Sequence, residues 1–263
     1  MADVTPDSDS PREPLDSPQA AESTSKKDDV TKKKESWPSI ILSTCLNLII
    51  AIAVIALIQA FFVKVYQVPS GSMETTLNVG DRIVVNRLAY NGAEPPREDI
   101  VVFRADSNWQ DELPDSNSSF LETLVKGFGD ITGIGPSNEK FLVKRVIAQG
   151  GDTVECCTAE GKLKVNGQAI EENYIFEDFP FAPGAMDCST QPRSYRCFGP
   201  ITVPEGQILV MGDHRSASSD SVINCRFADT ATTDQSCVRF VKKEDVIGRV
   251  FFKLWPISAW QGF

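Results

Sequence analysis

The sequence predicts a mostly β fold: a single N-terminal transmembrane helix, followed by an extracytoplasmic β-sheet domain with a smaller inserted lobe. Three features carry that expectation. An uncharged apolar run extends from Ser39 to Val63. Short β-branched runs punctuated by Gly, Pro and Asp follow it, the pattern of strands joined by turns. Of the seven cysteines, Cys45 lies inside the apolar run, and Cys156, Cys157, Cys188, Cys197, Cys225 and Cys237 all lie after it.

Residues 1–36 are rich in Asp, Glu, Ser, Pro and Lys and carry almost no large apolar side chains. Such a segment cannot bury enough surface to offset its ordering entropy, so it reads as a disordered tail. Residues 37–63 read as the transmembrane helix. At about 1.5 Å per residue the apolar run crosses a hydrocarbon core of roughly 30 Å. Lys26-Lys27 and Lys32-Lys33-Lys34 precede it and predict a cytoplasmic N-terminus, which leaves everything after Lys64 outside. A cleaved secretion signal fits less well: the run is too long, and Phe61-Phe62-Val63-Lys64-Val65-Tyr66 offers no small residues for cleavage.

Beyond the helix, Arg82–Asn86, Ile100–Phe103, Phe141–Ala148, Gln207–Met211 and Val246–Leu254 read as strands. The main β domain is therefore expected at 64–152 and 206–263. A stretch rich in Ser, Asn, Asp and Gly at about 105–140 reads as an exposed insertion. Residues 153–205, which hold four cysteines, read as the satellite lobe.

With 36 acidic and 26 basic residues the formal net charge is -10, which argues against a phosphate-binding nucleic-acid protein. An even set of six cysteines on the outer side suits up to three disulfides, and short loops favour Cys188–Cys197 and Cys225–Cys237. Zinc fits less well. Cys156-Cys157 lacks the spacer of common zinc knuckles, and the only histidine, His214, is far along the chain.

Two segments can carry chemistry. In Pro69-Ser70-Gly71-Ser72 the proline stiffens the entry and the glycine permits a close backbone approach, so the turn can expose the Ser72 hydroxyl beside backbone N–H groups. A serine nucleophile needs a base. His214 sits in a polar turn, Met211-Gly212-Asp213-His214-Arg215, and a loop histidine is more often a surface residue. Lys144 lies in a strand whose alternation sets Leu142, Lys144 and Val146 on one face. Apolar surroundings disfavour the ammonium and lower the pKa, and about 3 units, or about 4 kcal/mol, would bring it to neutral pH. The alternative is a lysine at a strand edge with its head in water.

Four segments, in order, resemble one family. Val68-Pro69-Ser70-Gly71-Ser72-Met73-Glu74-Thr75-Thr76-Leu77 is similar to the nucleophile box of bacterial type I signal peptidases (leader peptidases), which are serine–lysine proteases. Gly80–Val85 and Asp99–Arg104 resemble the strands that follow. Val143-Lys144-Arg145-Val146-Ile147 with Gly150-Gly151-Asp152 resembles the lysine box, and Gly212–Ser221 the last box. The resemblance implies Ser72 as nucleophile and Lys144 as general base. It also implies an oxyanion hole from the Ser70 hydroxyl and the Ser72 N–H. Ser218 would hydrogen-bond and orient Lys144, and Arg145, Asp213 and Asp220 would make supporting contacts. Adjacency adds Val68, Pro69, Met73 and Val143 as walls of substrate pockets.

The implied activity is removal of signal peptides from exported preproteins after a small-x-small site such as Ala-x-Ala. The implied setting is a single-pass monomer in the bacterial plasma membrane, with the lipid bilayer as partner and neither metal nor cofactor. The run Phe251–Pro256 is either a lipid contact or a core strand. Thr75 stands where the family has proline, His214 where asparagine is commoner, and Val222 where an arginine usually closes the last box, which removes that arginine's ion pair with Asp220. The family's endoplasmic-reticulum branch uses histidine for the lysine, so Lys144 indicates the bacterial type. Rival readings are a processing protease of the same fold dedicated to one secreted or conjugation protein, and a non-enzymatic anchored binding module.

Overall fold

The structure is a computed structural model that describes residues 37–112, 141–226 and 235–263. The tail at 1–36 and most of the 105–140 insertion lie outside them. Backbone contacts divide the chain into Met1–Thr44 and Cys45–Phe263, and among the described residues the β structure lies in the second unit.

Helix α1 spans Trp37–Phe61 without a charged residue, and is long and apolar enough to cross a membrane. It stops short of the expected Val63. The Phe62 N–H makes a last helical bond to Ile58 C=O at 2.9 Å. Val63 then opens strand β1 (Val63–Gln67), in which Val63 and Val65 pair with Asn86 and Val84. Two β-branched residues in alternation favour the pleated strand over another helical turn.

The main sheet is antiparallel and has eight strands. Its path runs β1, β2 (Arg82–Asn86), β11 (Val246–Trp255), β3 (Ile100–Arg104), β4 (Phe141–Ala148), β9 (Gln207–Met211) and β10 (Val241–Lys242), with β12 (Gln261–Gly262) paired to β11. All five strands expected from the sequence are present, two of them one residue longer. β4 is buried along its whole length between β3 and β9. Phe141 and Val143 join an apolar cluster with Tyr66, Val68, Met73 and Leu77. Leu142 and Val146 join a second cluster with Phe103, Trp109 and Val210. Both faces of β4 are therefore dry.

A second sheet holds β5 (Thr153–Cys156), β6 (Leu163–Val165), β7 (Gln168–Ala169) and β8 (Phe198–Thr202) in the order β7-β6-β5-β8. It falls within the residues expected to form the satellite lobe. Its apolar face is not separate, however: Val154, Leu163, Phe198 and Ile201 share one core cluster with Ile147, Leu209 and Met211 of the main sheet.

The start of the 105–140 segment also departs from an exposed insertion. Residues Ser107–Glu112 form a short 3-10 turn, and Trp109 is buried edge-on against Phe103, with the Arg239 guanidinium 4.5 Å from its ring centre. The large apolar area of an indole explains why a polar loop folds back at this one residue.

β11 crosses β2 without side-chain clearance at Gly248, where an added Cβ would lie 2.2 Å from the Asn86 carbonyl oxygen. Gly248→Ala is expected to destabilise the fold by about 1–3 kcal/mol, the cost typical of overpacking. Chemical denaturation of the detergent-solubilised chain measures this, and an unchanged midpoint would contradict the close crossing.

Candidate active site

The segment between β1 and β2 is a loop closed at its base. Val68 N–H bonds Asp81 C=O at 2.8 Å, and Gly80 N–H bonds Val68 C=O at 3.0 Å. Inside the loop, Gly71–Met73 form a 3-10 turn, followed by Leu77 N–H to Met73 C=O at 2.7 Å. Met73 is the anchor. It is an unbranched side chain sunk into the cluster of Tyr66, Val68 and Leu77, and it fixes Ser72 beside it.

Ser72 is 5% exposed and Lys144 is fully buried. Lys144 Nζ lies 2.7 Å from Ser72 Oγ, within hydrogen-bond reach across a sequence separation of 72 residues. A central strand covered on both faces excludes the strand-edge reading of Lys144. Ser70 Oγ lies 3.4 Å from Ser72 Oγ, so a second hydroxyl adjoins the first.

Arg145, next along β4, grips Asp213 with both ends of its fork: Nε to Oδ1 at 2.8 Å and Nη2 to Oδ2 at 2.6 Å. Its third nitrogen, Nη1, donates to Glu98 C=O at 2.8 Å. The guanidinium stacks 3.9 Å from the centre of the Tyr174 ring. Burial and then the neighbouring Glu172 carboxylate hold the Tyr174 phenol above its ordinary pKa, so it stays neutral.

The last box lies against the Ser72 turn. His214 N–H donates to Ser72 C=O at 3.1 Å. Gly212 is required here, because an added Cβ would lie 2.4 Å from both Ser72 O and Ser218 Oγ. The His214 ring turns away from the Ser72 hydroxyl: Nδ1 lies 3.2 Å from Glu74 and Nε2 lies 3.4 Å from Glu177, with Phe176 edge-on. It spans two carboxylates rather than acting as the partner of Ser72.

One expectation needs correction, and one gap is filled from another position. Ser218 is buried against Gly212, but its hydroxyl makes no hydrogen bond, so the expected bond orienting Lys144 is not formed. Asp220, without an arginine at 222, pairs instead with Arg226 at 3.5 Å. Helix α2 (Ile223–Arg226) is a single turn in which Arg226 N–H bonds Val222 C=O at 3.2 Å. One helical turn brings Arg226 over the position held by Val222, and its long side chain reaches back to the carboxylate.

Sequence reading missed the support beneath the loop. Thr76 Oγ1 donates to Asp213 Oδ2 at 2.6 Å, and Thr76 C=O accepts from Lys253 Nζ at 2.9 Å. Lys253 is buried and ion-paired with Asp81 at 3.3 Å, and Asp81 also accepts the Asn78 N–H at 2.9 Å. A register shift between Lys253 and Trp255 in the β11–β2 pairing accompanies this inward turn. The bulge breaks the alternation by which a buried lysine would have been noticed.

Of the expected pocket walls, Val68, Met73 and Val143 are buried in the cluster under the loop and Pro69 is exposed. A cavity of about 190 Å³ lies elsewhere, lined by residues that include Cys156, Glu172, Met211, Arg215 and Arg226, and touches neither Ser72 nor Lys144. Cysteines pair as Cys188–Cys197 and Cys225–Cys237, as the loop lengths favoured, and the third pair joins the neighbours Cys156 and Cys157. Sγ atoms of Cys157, Cys188 and Cys197 lie within 4.8 Å of one another, a ligand-like spacing, but all three are in disulfides and offer no thiolate to a metal.

The profile of the family described as signal peptidase, peptidase S26 matches residues 41–255. The chain belongs to the peptidase S26 signal peptidase family. A probable signal peptidase I of Mycobacterium leprae (strain TN) is 35% identical over 242 residues, covering 88% of this chain and 80% of that protein. Signal peptidase I of Mycobacterium tuberculosis (strain ATCC 25618 / H37Rv) is 36% identical over 222 residues, covering 81% and 71%. A probable signal peptidase I-2 of Synechocystis sp. is 30% identical over 230 residues, covering 87% and 80%. Membership supports a peptidase and signal-peptide removal as its activity.

In this family member Asp213 holds a buried guanidinium and a loop threonine together. Asp213→Ala is expected to cost about 3–5 kcal/mol, as breaking one side of a buried ion pair does. Equilibrium denaturation of the solubilised chain reads the loss, and a cost under about 1 kcal/mol would show that Arg145 finds another partner.

Proposed function

We propose that the chain is a membrane-anchored serine endopeptidase that removes signal peptides from exported preproteins. Ser72 is the nucleophile and Lys144 the general base. The observation that carries the reading is the 2.7 Å separation of Lys144 Nζ and Ser72 Oγ inside a dry strand environment. Burial disfavours an ammonium, and a neutral amine at that distance can accept the serine proton.

In the proposed sequence Ser72 Oγ attacks the scissile carbonyl carbon while its proton passes to Lys144 Nζ. The developing oxyanion accepts hydrogen bonds from the Ser72 N–H and the Ser70 hydroxyl. Collapse expels the new N-terminus of the mature protein, which takes the proton from Lys144. Water, deprotonated in turn by Lys144, then hydrolyses the Ser72 ester. Both reacting groups come from one chain, so a monomer suffices. Neither metal nor cofactor has a step to perform. The proposed small-x-small preference calls for shallow apolar subsites; of the adjacent residues Pro69 is exposed, while Val68, Met73 and Val143 form the apolar floor beneath the loop.

Helix α1 is the proposed single-pass anchor in a bacterial plasma membrane. The lysines before it hold the N-terminus in the cytoplasm, and the β domain lies on the far side. Anchoring confines enzyme and signal peptide to one plane and raises their effective concentration. The outer face of the chain's end supports contact with lipid headgroups, since Phe251, Leu254, Trp255, Ile257 and Trp260 are all exposed.

Ser72→Ala and Lys144→Ala are each expected to abolish preprotein cleavage while circular dichroism stays unchanged, and turnover by either variant would contradict its role. Ser70→Ala is expected to slow turnover by about 10²–10³ with little change in KM. Cleavage is expected to survive treatment with a metal chelator. Inhibition reversed by added zinc would assign the cysteine cluster a metal.

A further inference from the structure

Outside the proposed active site, one group of side chains has chemistry of its own. Four cysteines from the end of β5 and the loop before β8 meet in the second sheet's territory. Cys157 is bonded to Cys156, yet its sulfur also lies within 4.8 Å of both Cys188 and Cys197, which are bonded to each other. Two disulfides thus share one small volume, and three of the four sulfurs are mutual neighbours. Their surroundings differ. Cys156 faces the cavity beside Glu172 and Arg215, Cys157 and Cys188 are half-buried, and Cys197 is fully buried.

We propose that these residues form a thiol–disulfide exchange centre addressed by dithiol reductants. A dithiol breaks the Cys156–Cys157 bond, leaves as its own disulfide, and passes two electrons to the pair, which become two thiols. Cys157, once deprotonated, attacks Cys197 Sγ. The Cys157–Cys197 bond forms, the Cys188–Cys197 bond breaks, and Cys188 leaves as a thiolate that takes up a proton. This second step moves no electrons to or from the protein. Cys188 is the better leaving group because its thiolate can meet water, whereas a thiolate on buried Cys197 would be desolvated. The result re-ties the end of β5 to the start of β8 and frees the 188–197 loop.

Peptide mapping with fragment sequencing tests this directly, because trypsin divides the four sulfurs among three peptides: 146–162 with Cys156 and Cys157, 165–193 with Cys188, and 197–215 with Cys197. The full chain in detergent is mapped without reduction, before and after sub-stoichiometric dithiothreitol at mildly alkaline pH, with free thiols trapped by iodoacetamide. The expected product links peptide 146–162 to 197–215, with Cys156 and Cys188 alkylated. Cys156→Ser, purified without reductant, is expected to show a Cys157 link to Cys197, with Cys188 alkylated. Cys157→Ser is expected to lose the transfer and keep Cys188–Cys197. The proposal is overturned if reduced wild-type protein carries both alkylated Cys156 and Cys157 beside an intact Cys188–Cys197 pair. Equal behaviour of the two variants, or a wild-type chain whose four sulfurs carry no disulfide, overturns it as well.

Discussion

The main domain is organised around one contact, an amine and a hydroxyl 2.7 Å apart, both of them buried. Such a pair has to be imposed by the fold. A lysine in the middle of a sheet is unfavourable on its own, and a serine hydroxyl in a free loop would sample many rotamers. Here the central position of β4 fixes the amine, and burial of Met73 fixes the turn that carries the hydroxyl.

The scaffold around that contact is polar where the clusters above it are apolar. Asp81, Lys253, Thr76, Asp213 and Arg145 form an unbroken relay of buried and half-buried bonds from the base of the serine loop to the residue after the lysine. Each member satisfies another, which is the condition under which buried charge is tolerated. The relay gives the loop a defined height above the sheet, while Gly212 lets the last box approach it without a side chain between them.

Much of the architecture was legible in the residues. The apolar run, the five main strands and the two short-range cysteine pairs stand in the structure with shifts of one or two residues at their ends. Ser72 and Lys144 are singled out by their resemblance to the serine and lysine boxes of the family, because a serine in a glycine turn and a strand lysine with apolar neighbours do not by themselves decide a role. Other parts were hidden for physical reasons. Lys253 sits at a bulge, where alternation fails. Trp109 lies in a polar stretch whose composition hides one inward indole. Arg226 does the work of an arginine absent at 222, and only the single turn of α2 reveals that the two positions coincide. The idle hydroxyl of Ser218 depends on where the fold sets its side chain, which no pattern of residue types encodes.

The support for the serine loop comes from opposite ends of the sequence. Asp81 is made early, while Lys253 belongs to β11, whose centre also stitches β2 to β3. A ribosome that has released only the first two hundred or so residues has therefore supplied the hydroxyl and the amine without the strand that joins their two halves of the sheet. Until that closing strand is threaded into place, the two halves of the sheet have no shared neighbour and Asp81 has no ammonium beneath it.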